Sequence, residues 1–227
     1  MSTQSRLFVA AVIAVAAAGL ASALVFTKQL SDPTIFAHCL ALALLTSTFK
    51  VRLPGMRNSI AASFVLFLIA MAHLNLAETL ILTIPCTVLQ CLWRPRSRPK
   101  AIQVVFSVAC TLVSTGVAGM LFFSFDNKGT SVPALVVAAT AFFFVNSLLV
   151  ATVVGLVQSE SIGQLWRQLH RWAFPYYLGG AIMAALVVMY SRVAGFHQAL
   201  AMLPLLYAVY LSYDTYVASE RRRTAAS

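Results

Sequence analysis

The sequence predicts an all-α fold: a polytopic transmembrane helical bundle of about eight spans (six to eight), plus one interfacial amphipathic helix. Three observations predict it. The 227 residues are 60% hydrophobic and 10% charged, with mean hydropathy +0.86, which leaves too little polar surface to clothe a water-soluble globule of that size. The hydrophobic residues fall in runs close to the length that crosses a hydrocarbon core of ~30 Å at 1.5 Å per residue. The gaps between runs alternate between basic-rich and basic-poor, the pattern of a correctly threaded membrane protein.

The first run, 6–27, follows Arg6 and is expected to be a retained span. Its apolar stretch is longer than a usual signal core, and strongly hydrophobic Leu24 to Phe26 follow Ala21-Ser22-Ala23 directly. Ala10, Ala14 and Ala18 mark a stripe for close helix packing. Span two, 34–50, is broken by Lys50-Val51-Arg52-Leu53-Pro54-Gly55. Spans three (57–73) and four (75–93) meet through His73-Leu74-Asn75, a turn so brief that the two helices must be antiparallel neighbours. Asn75 and Glu78 fit the N-cap and N3 positions of a capping box, where Gln serves as well as Glu.

Pro85 lies inside span four and should kink it, and Arg94-Pro95-Arg96-Ser97-Arg98-Pro99-Lys100 reads as a stiff basic crossing. On span five, 101–124, the stripe Gln103, Ser107, Cys110 and Ser114, with Thr111 beside it, is expected to face protein or water. It either lines a pocket or packs closely with weak interhelical hydrogen bonds. Span six is 132–157. Ser161 to Ala173 then reads as the interfacial helix: Ile162, Leu165, Trp166, Leu169 and Trp172 share one face, and Gln164, Arg167, Gln168, His170 and Arg171 the other. Span seven, 174–192, is expected to carry Pro175 in its first turn, as span six carries Pro133, and span eight, 197–217, to be kinked at Pro204. Residues 1–217 thus form an integral membrane domain and 218–227 a basic tail, with no room for a soluble domain.

With both termini cytoplasmic, thirteen of the 16 basic residues lie inside: Arg6, Lys50, Arg52, Arg57, Arg94, Arg96, Arg98, Lys100, Arg167, Arg171 and Arg221 to Arg223. Lys28, Lys128 and Arg192 lie outside. The net charge of +10 therefore expresses topology and contact with the lipid bilayer, and nucleic acid is not an expected partner. The four cysteines, Cys39, Cys86, Cys91 and Cys110, sit in apolar runs without a CxxC pair, so neither a disulfide frame nor a zinc site is indicated.

The topology gathers His38, His73, Asn75, Glu78, Arg192, His197 and Gln198 at the extracytoplasmic ends of their spans. Such a rim suits a polar ligand, a proton or a metal; the plain alternative is a helix cap with histidines wet at the interface. Asn146, near the middle of span six, needs a partner on a neighbouring helix, in water or in a ligand. Tyr176 and Tyr177, with Tyr207, Tyr210, Tyr213 and Tyr216, suggest either a planar ligand or an interfacial aromatic belt, and Asp214 shares a helical face with Tyr207 and Tyr210. There is no lysine at the middle of a span, no paired carboxylate for magnesium diphosphate, no HExxH and no phosphate-cradling loop, so no enzyme activity is expected and no cofactor is indicated. Matched broken helices, the mark of an inverted-repeat carrier, are absent too.

Lys50-Val51-Arg52-Leu53-Pro54-Gly55, Ser63-Phe64, Glu78, Gln90, Leu92-Trp93-Arg94 and Arg98-Pro99 together resemble the N-terminal membrane module of bacterial cyclic-di-GMP signalling proteins. Phe144-Val145-Asn146-Ser147-Leu148-Leu149-Val150-Ala151 and Trp172-Ala173-Phe174-Pro175-Tyr176-Tyr177-Leu178 extend the similarity over most of the chain. In that family the module precedes a cytoplasmic HD-GYP or GGDEF domain, whereas here the sequence stops shortly after Glu220-Arg221-Arg222-Arg223. The resemblance implies a bacterial inner-membrane sensory or ligand-binding module, either stand-alone or separated from its effector. Its partners would be a small-molecule ligand, a cytoplasmic signalling protein or a second copy of itself. A small bundle without soluble domains is also similar to the substrate-binding components of vitamin and metal transporters, which makes uptake the alternative.

Overall fold

A computed structural model describes residues 3–27, 31–52, 59–95, 98–125 and 132–202, and from there positions 204, 207–208, 211–212, 215–216 and 218–219. The helices are α1 (Thr3–Phe26), α2 (Pro33–Ser47), α3 (Ser63–His73), α4 (Leu76–Leu92), α5 (Ala101–Phe125), α6 (Val132–Gln158), α7 (Ile162–Ala194) and α8 (Phe196–Ala199), followed by a 3₁₀ turn, Leu200–Met202. Two three-residue strands, β1 (Lys50–Arg52) and β2 (Ser59–Ala61), pair antiparallel with Val51 opposite Ile60. Apart from this ribbon the fold is all-α among the described residues.

Among the described residues, four helices are long and apolar enough to cross a membrane: α1, α5, α6 and the Ala173–Ala194 part of α7. This fits a membrane-embedded protein, with fewer full-length spans than the eight expected. The shortfall lies in α2, α3 and α4, which have 15, 11 and 17 residues. At 1.5 Å per residue they reach only about 22, 16 and 26 Å. Span three, expected over 57–73, is helical only from Ser63, because residues 59–61 join the ribbon instead. The eighth expected span begins with α8 and the 3₁₀ turn, and much of the remainder, with Tyr210, Tyr213, Asp214 and Arg221 to Arg223, lies outside the described residues. So do Lys28, Pro54, Gly55, Arg57, Arg96 and Lys128.

Short α3 is the centre of the molecule. Every residue from Ser63 to Met71 is buried, as expected of a helix that is apolar all round. It packs against α2 and α7, while α5 packs against α1, α4 and α6, and α6 against α7. The apolar interior forms two clusters. One joins residues of α2 to α8 around Phe64, Phe67, Phe142 and Phe143; the other joins α1, α4 and α5 around Val9, Val12, Leu80 and Phe106. Ala10, Ala14 and Ala18 are exposed, so the alanine stripe of α1 faces away from the bundle and Val9, Val12 and Ala16 make the internal contact.

The interfacial helix is not a separate element. Residues 162–173 form the opening turns of α7, which continues through Pro175 for 33 residues, so Pro175 is interior to a helix rather than in its first turn. A tight turn sends α7 back along α6: Ser159 adopts φ 58°, and Ile162 packs over Gly155, where an added Cβ would lie 2.7 Å from the Ile162 side chain. Turned inward on α6, Trp166 donates from Nε1 to Ser147 Oγ at 3.2 Å and stacks on Phe144. His170, expected on the polar face, lies one turn from both Trp166 and Phe174 and sits among Phe143, Trp166 and Phe174 with ring centroids at 5.3, 5.3 and 5.0 Å. Arg167 and Arg171 remain exposed; of Trp172 only the helical backbone is described.

The stripe on α5 also resolves locally. The hydroxyls of Ser107, Thr111 and Ser114 donate to the carbonyls of Gln103, Ser107 and Cys110, one turn back on their own helix, instead of bridging to a neighbour. Gln103 Oε1 accepts from the Lys100 backbone N–H and so helps close the start of α5.

Candidate functional site

At the end of the bundle where α3 meets α4, the chain makes the capping box that the sequence predicts. Asn75 Oδ1 accepts from Glu78 N at 2.9 Å, and Glu78 Oε2 accepts from Asn75 N at 3.2 Å. Glu78, only 5% exposed, does more than cap: its Oε1 accepts from the backbone N–H of Ser31 at 2.8 Å, holding the segment before α2 against the start of α4. Next to Ser31, Asp32 is the N-cap of α2. Its carboxylate accepts from the Thr34 hydroxyl and, at 2.8 Å, from Thr34 N, contacts that hold it below the usual carboxylate range.

Three of the chain's four histidines gather beside these caps, around Phe196 at the start of α8. Ring centroids lie 6.4 Å from Phe196 for His38, 5.0 Å for His73 and 6.0 Å for His197; His38 meets His197 edge-on at 5.2 Å. Gly195, at φ 91°, makes the sharp break between α7 and α8 that delivers Phe196 to this position. Hydrogen bonds fix the neutral tautomers. His38 Nδ1 lies 2.6 Å from the Thr34 carbonyl, which can only accept, so Nδ1 carries the proton and Nε2 presents the lone pair. Ser191 Oγ donates to the Val188 carbonyl at 2.8 Å, so its contact with His73 Nε2 at 3.1 Å has the imidazole as donor and leaves the lone pair on Nδ1. His197 acts electrostatically on Asp32, and Arg192 on His73. Chemically, the rim offers two imidazole lone pairs beside an aromatic ring. Among the described residues no group of three His, Cys, Asp or Glu side chains converges to hold a metal ion.

The remaining candidates form a second group, about 13 Å along α3 at its other end. Asn146 Nδ2 donates to the Tyr177 hydroxyl at 3.3 Å, joining α6 to α7. Tyr177 packs against Phe64, Phe142 and Phe143 with centroids 4.4, 5.9 and 5.2 Å away, and Tyr176 lies 5.7 Å from Phe64. The structure therefore gathers His38, His73, Asn75 and Glu78 into one group, and Asn146, Tyr176 and Tyr177 into another. Sequence reading missed Phe196, Ser191 and the Ser31–Glu78 contact, which arise from tertiary packing. The inward side of His170 was legible, since it stands four residues from both Trp166 and Phe174.

Comparison of the chain with protein-family models, with curated proteins and with solved structures finds no match. The resemblance to signalling modules stands on the quoted residues alone.

Proposed function

We propose that the chain is a non-catalytic sensory module of a bacterial inner membrane, crossing it eight times with both termini cytoplasmic. It takes its signal at the Phe196 rim and passes it to a cytoplasmic partner. In this reading α2, α3 and α4 are short spans, and the ribbon that joins α2 to α3 lies at the membrane surface. Lys50, whose ammonium donates to the Trp93 carbonyl at 2.5 Å, keeps the ribbon at the basic, cytoplasmic end.

The observation that carries the proposal is that one imidazole cluster ties four separate elements, α2, α3, α7 and α8, at a single end of the bundle. Imidazole gains its charge between about pH 7 and 5. Two imidazolium rings 5.2 Å apart repel by about 1 kcal/mol where water screens them. Asp32 beside His197 opposes that repulsion, while Arg192 acts on the third imidazole, His73. Loss of the His38–His197 contact would release α8, through which the signal would reach the C-terminal segment.

The test is reconstitution in liposomes with external pH stepped from 7.5 to 5.5. Intrinsic tryptophan fluorescence should change reversibly in the native protein and not in His38→Gln/His197→Gln, with no net flux of protons into the lumen. A response unchanged in the double variant would overturn the proposal. Sustained proton or solute uptake by the protein alone would favour the transporter-component reading instead.

A further inference from the structure

Independently of the sensory reading, we infer that the outward face of α7 from Arg167 to Ile182 is a docking face for a membrane-spanning helix of another protein, whose carboxylates pair with Arg167 and Arg171. Contacts with α6 set the depth of the two arginines. Trp166 reaches Phe144 and Ser147, and His170 reaches Phe143 and Phe144. Arg167 and Arg171 follow Trp166 and His170 directly, and so stand beside the middle of α6, whose 27 residues are uncharged and cover about 40 Å. Ser147 is still about 16 Å from the end of α6 at Gln158, and an arginine stem recovers only about 6 Å of that by stretching toward the interface.

Both arginines are exposed at that depth, and among the described residues neither makes an ion pair or hydrogen bond. A guanidinium left in hydrocarbon is costly, and charges within a membrane are held by opposite charge, by polar protein groups or by water. The described carboxylates are engaged or placed elsewhere: Asp32 and Glu78 hold the caps at the histidine rim, and Glu160 lies in the turn before α7, about 10 Å along the chain axis from Arg167. A second copy of the chain is a poor counterpart, because copies sharing one orientation meet about an axis along the membrane normal, which sets arginine against arginine.

The shape of the face selects a helix over a small anion. Arg167, Arg171, Phe174, Leu178 and Ile182 succeed one another by four, three, four and four residues, and therefore form one straight stripe about 22 Å long. Phe174, Leu178 and Ile182 are exposed by 38, 47 and 54%, so the two cations stand at one end of an apolar strip. Gly179 adjoins the strip, and a Cβ there would meet nothing within 4 Å, which leaves room for the close approach of a neighbouring backbone. A helix with Asp or Glu at two positions one turn apart matches the cations through carboxylate–guanidinium forks, and its apolar side covers the rest.

The experiment places full-length protein in phosphatidylcholine liposomes with a synthetic leucine–alanine transmembrane peptide carrying two glutamates one turn apart at its centre, and reads association by energy transfer between labels. The native protein should bind this peptide several-fold more tightly than its all-apolar counterpart. Arg167→Gln/Arg171→Gln should lose that preference; Arg167→Lys/Arg171→Lys should keep part of it, and Arg94→Gln/Arg98→Gln nearly all. Thermal unfolding confirms folding, and should the double Gln variant not fold, each single Gln variant should still halve the preference or more. Equal binding of the two peptides, or a preference that survives Arg167→Gln/Arg171→Gln, would overturn the docking face. So would self-association of the native protein that the double Gln variant abolishes, which would give the face to a second copy. Free reaction of Arg171→Cys with a water-soluble thiol reagent, in a Cys91→Ser background without peptide, would likewise overturn it in favour of a water-filled pocket for a small anion.

Discussion

Glu78 carries two separate jobs on one carboxylate, and this decides how it responds to substitution. A capping box alone tolerates Gln, because a single amide oxygen can accept from the N-cap backbone. Here the second oxygen accepts from Ser31 N, so replacing either oxygen by an amide nitrogen sets donor against donor at a buried position. Glu78→Gln is expected to cost about 1 to 3 kcal/mol, the penalty for a buried N–H left without an acceptor. Thermal unfolding in neutral detergent measures it, and an unchanged melting temperature would mean that the Ser31 contact contributes nothing. Asn146 follows the same principle more weakly: its partner is on the next helix at 3.3 Å, and interhelical hydrogen bonds within membranes contribute about 0.6 kcal/mol on average.

At the scale of elements, α3 and α7 approach so closely that only glycine fits at one contact. A Cβ on Gly180 would stand 2.1 Å from Phe64 Cζ and 2.9 Å from Val65 Cγ2, whereas one on Gly179 meets nothing within 4 Å. Gly179→Ala should therefore be neutral or stabilising by up to about 1 kcal/mol through helix propensity. Gly180→Ala should destabilise by about 1 to 3 kcal/mol through overpacking. Chemical unfolding of the two variants side by side separates space from propensity, and equal effects would argue against the Phe64–Gly180 packing. Such contacts are invisible in sequence, where Gly179 and Gly180 are simply adjacent. What was legible depends on local chemistry: the α3–α4 turn, its capping box and the long apolar helices. The ribbon was not legible, since Ser59-Ile60-Ala61 is as apolar as a helix start and only pairing with Lys50-Val51-Arg52 makes it a strand. Nor was the run of α7 through Pro175, because tertiary packing on α6 outweighs a proline's cost to the helix.

At the scale of the whole molecule, the distribution of charge and the packing of the helices point to one orientation. The α3–α4 turn lies beside the C-terminal end of α7, joined by Ser191 to His73, while the Trp93 end of α4 meets Lys50 at the opposite end of the bundle. That second end also carries Arg94, Arg98 and Lys100, and in the proposed topology, which follows the positive-inside rule, it is the cytoplasmic end, with the histidine rim outside. The native cysteines interfere little with a labelling test, because Cys39, Cys86 and Cys110 are buried and only Cys91 is partly accessible. In a Cys91→Ser background, single cysteines in the 94–100 loop and after Arg223 should be shielded from an impermeant thiol reagent in intact cells. One near Asn127 should label, and a cysteine replacing exposed His197 should label too. Reaction at 94–100 with protection at 197 would invert the molecule and move the rim to the cytosol. Reaction after Arg223 with protection at 94–100 would instead put an odd number of crossings between that loop and the C-terminus, and the final segment rather than the bundle would then depart from the proposed topology.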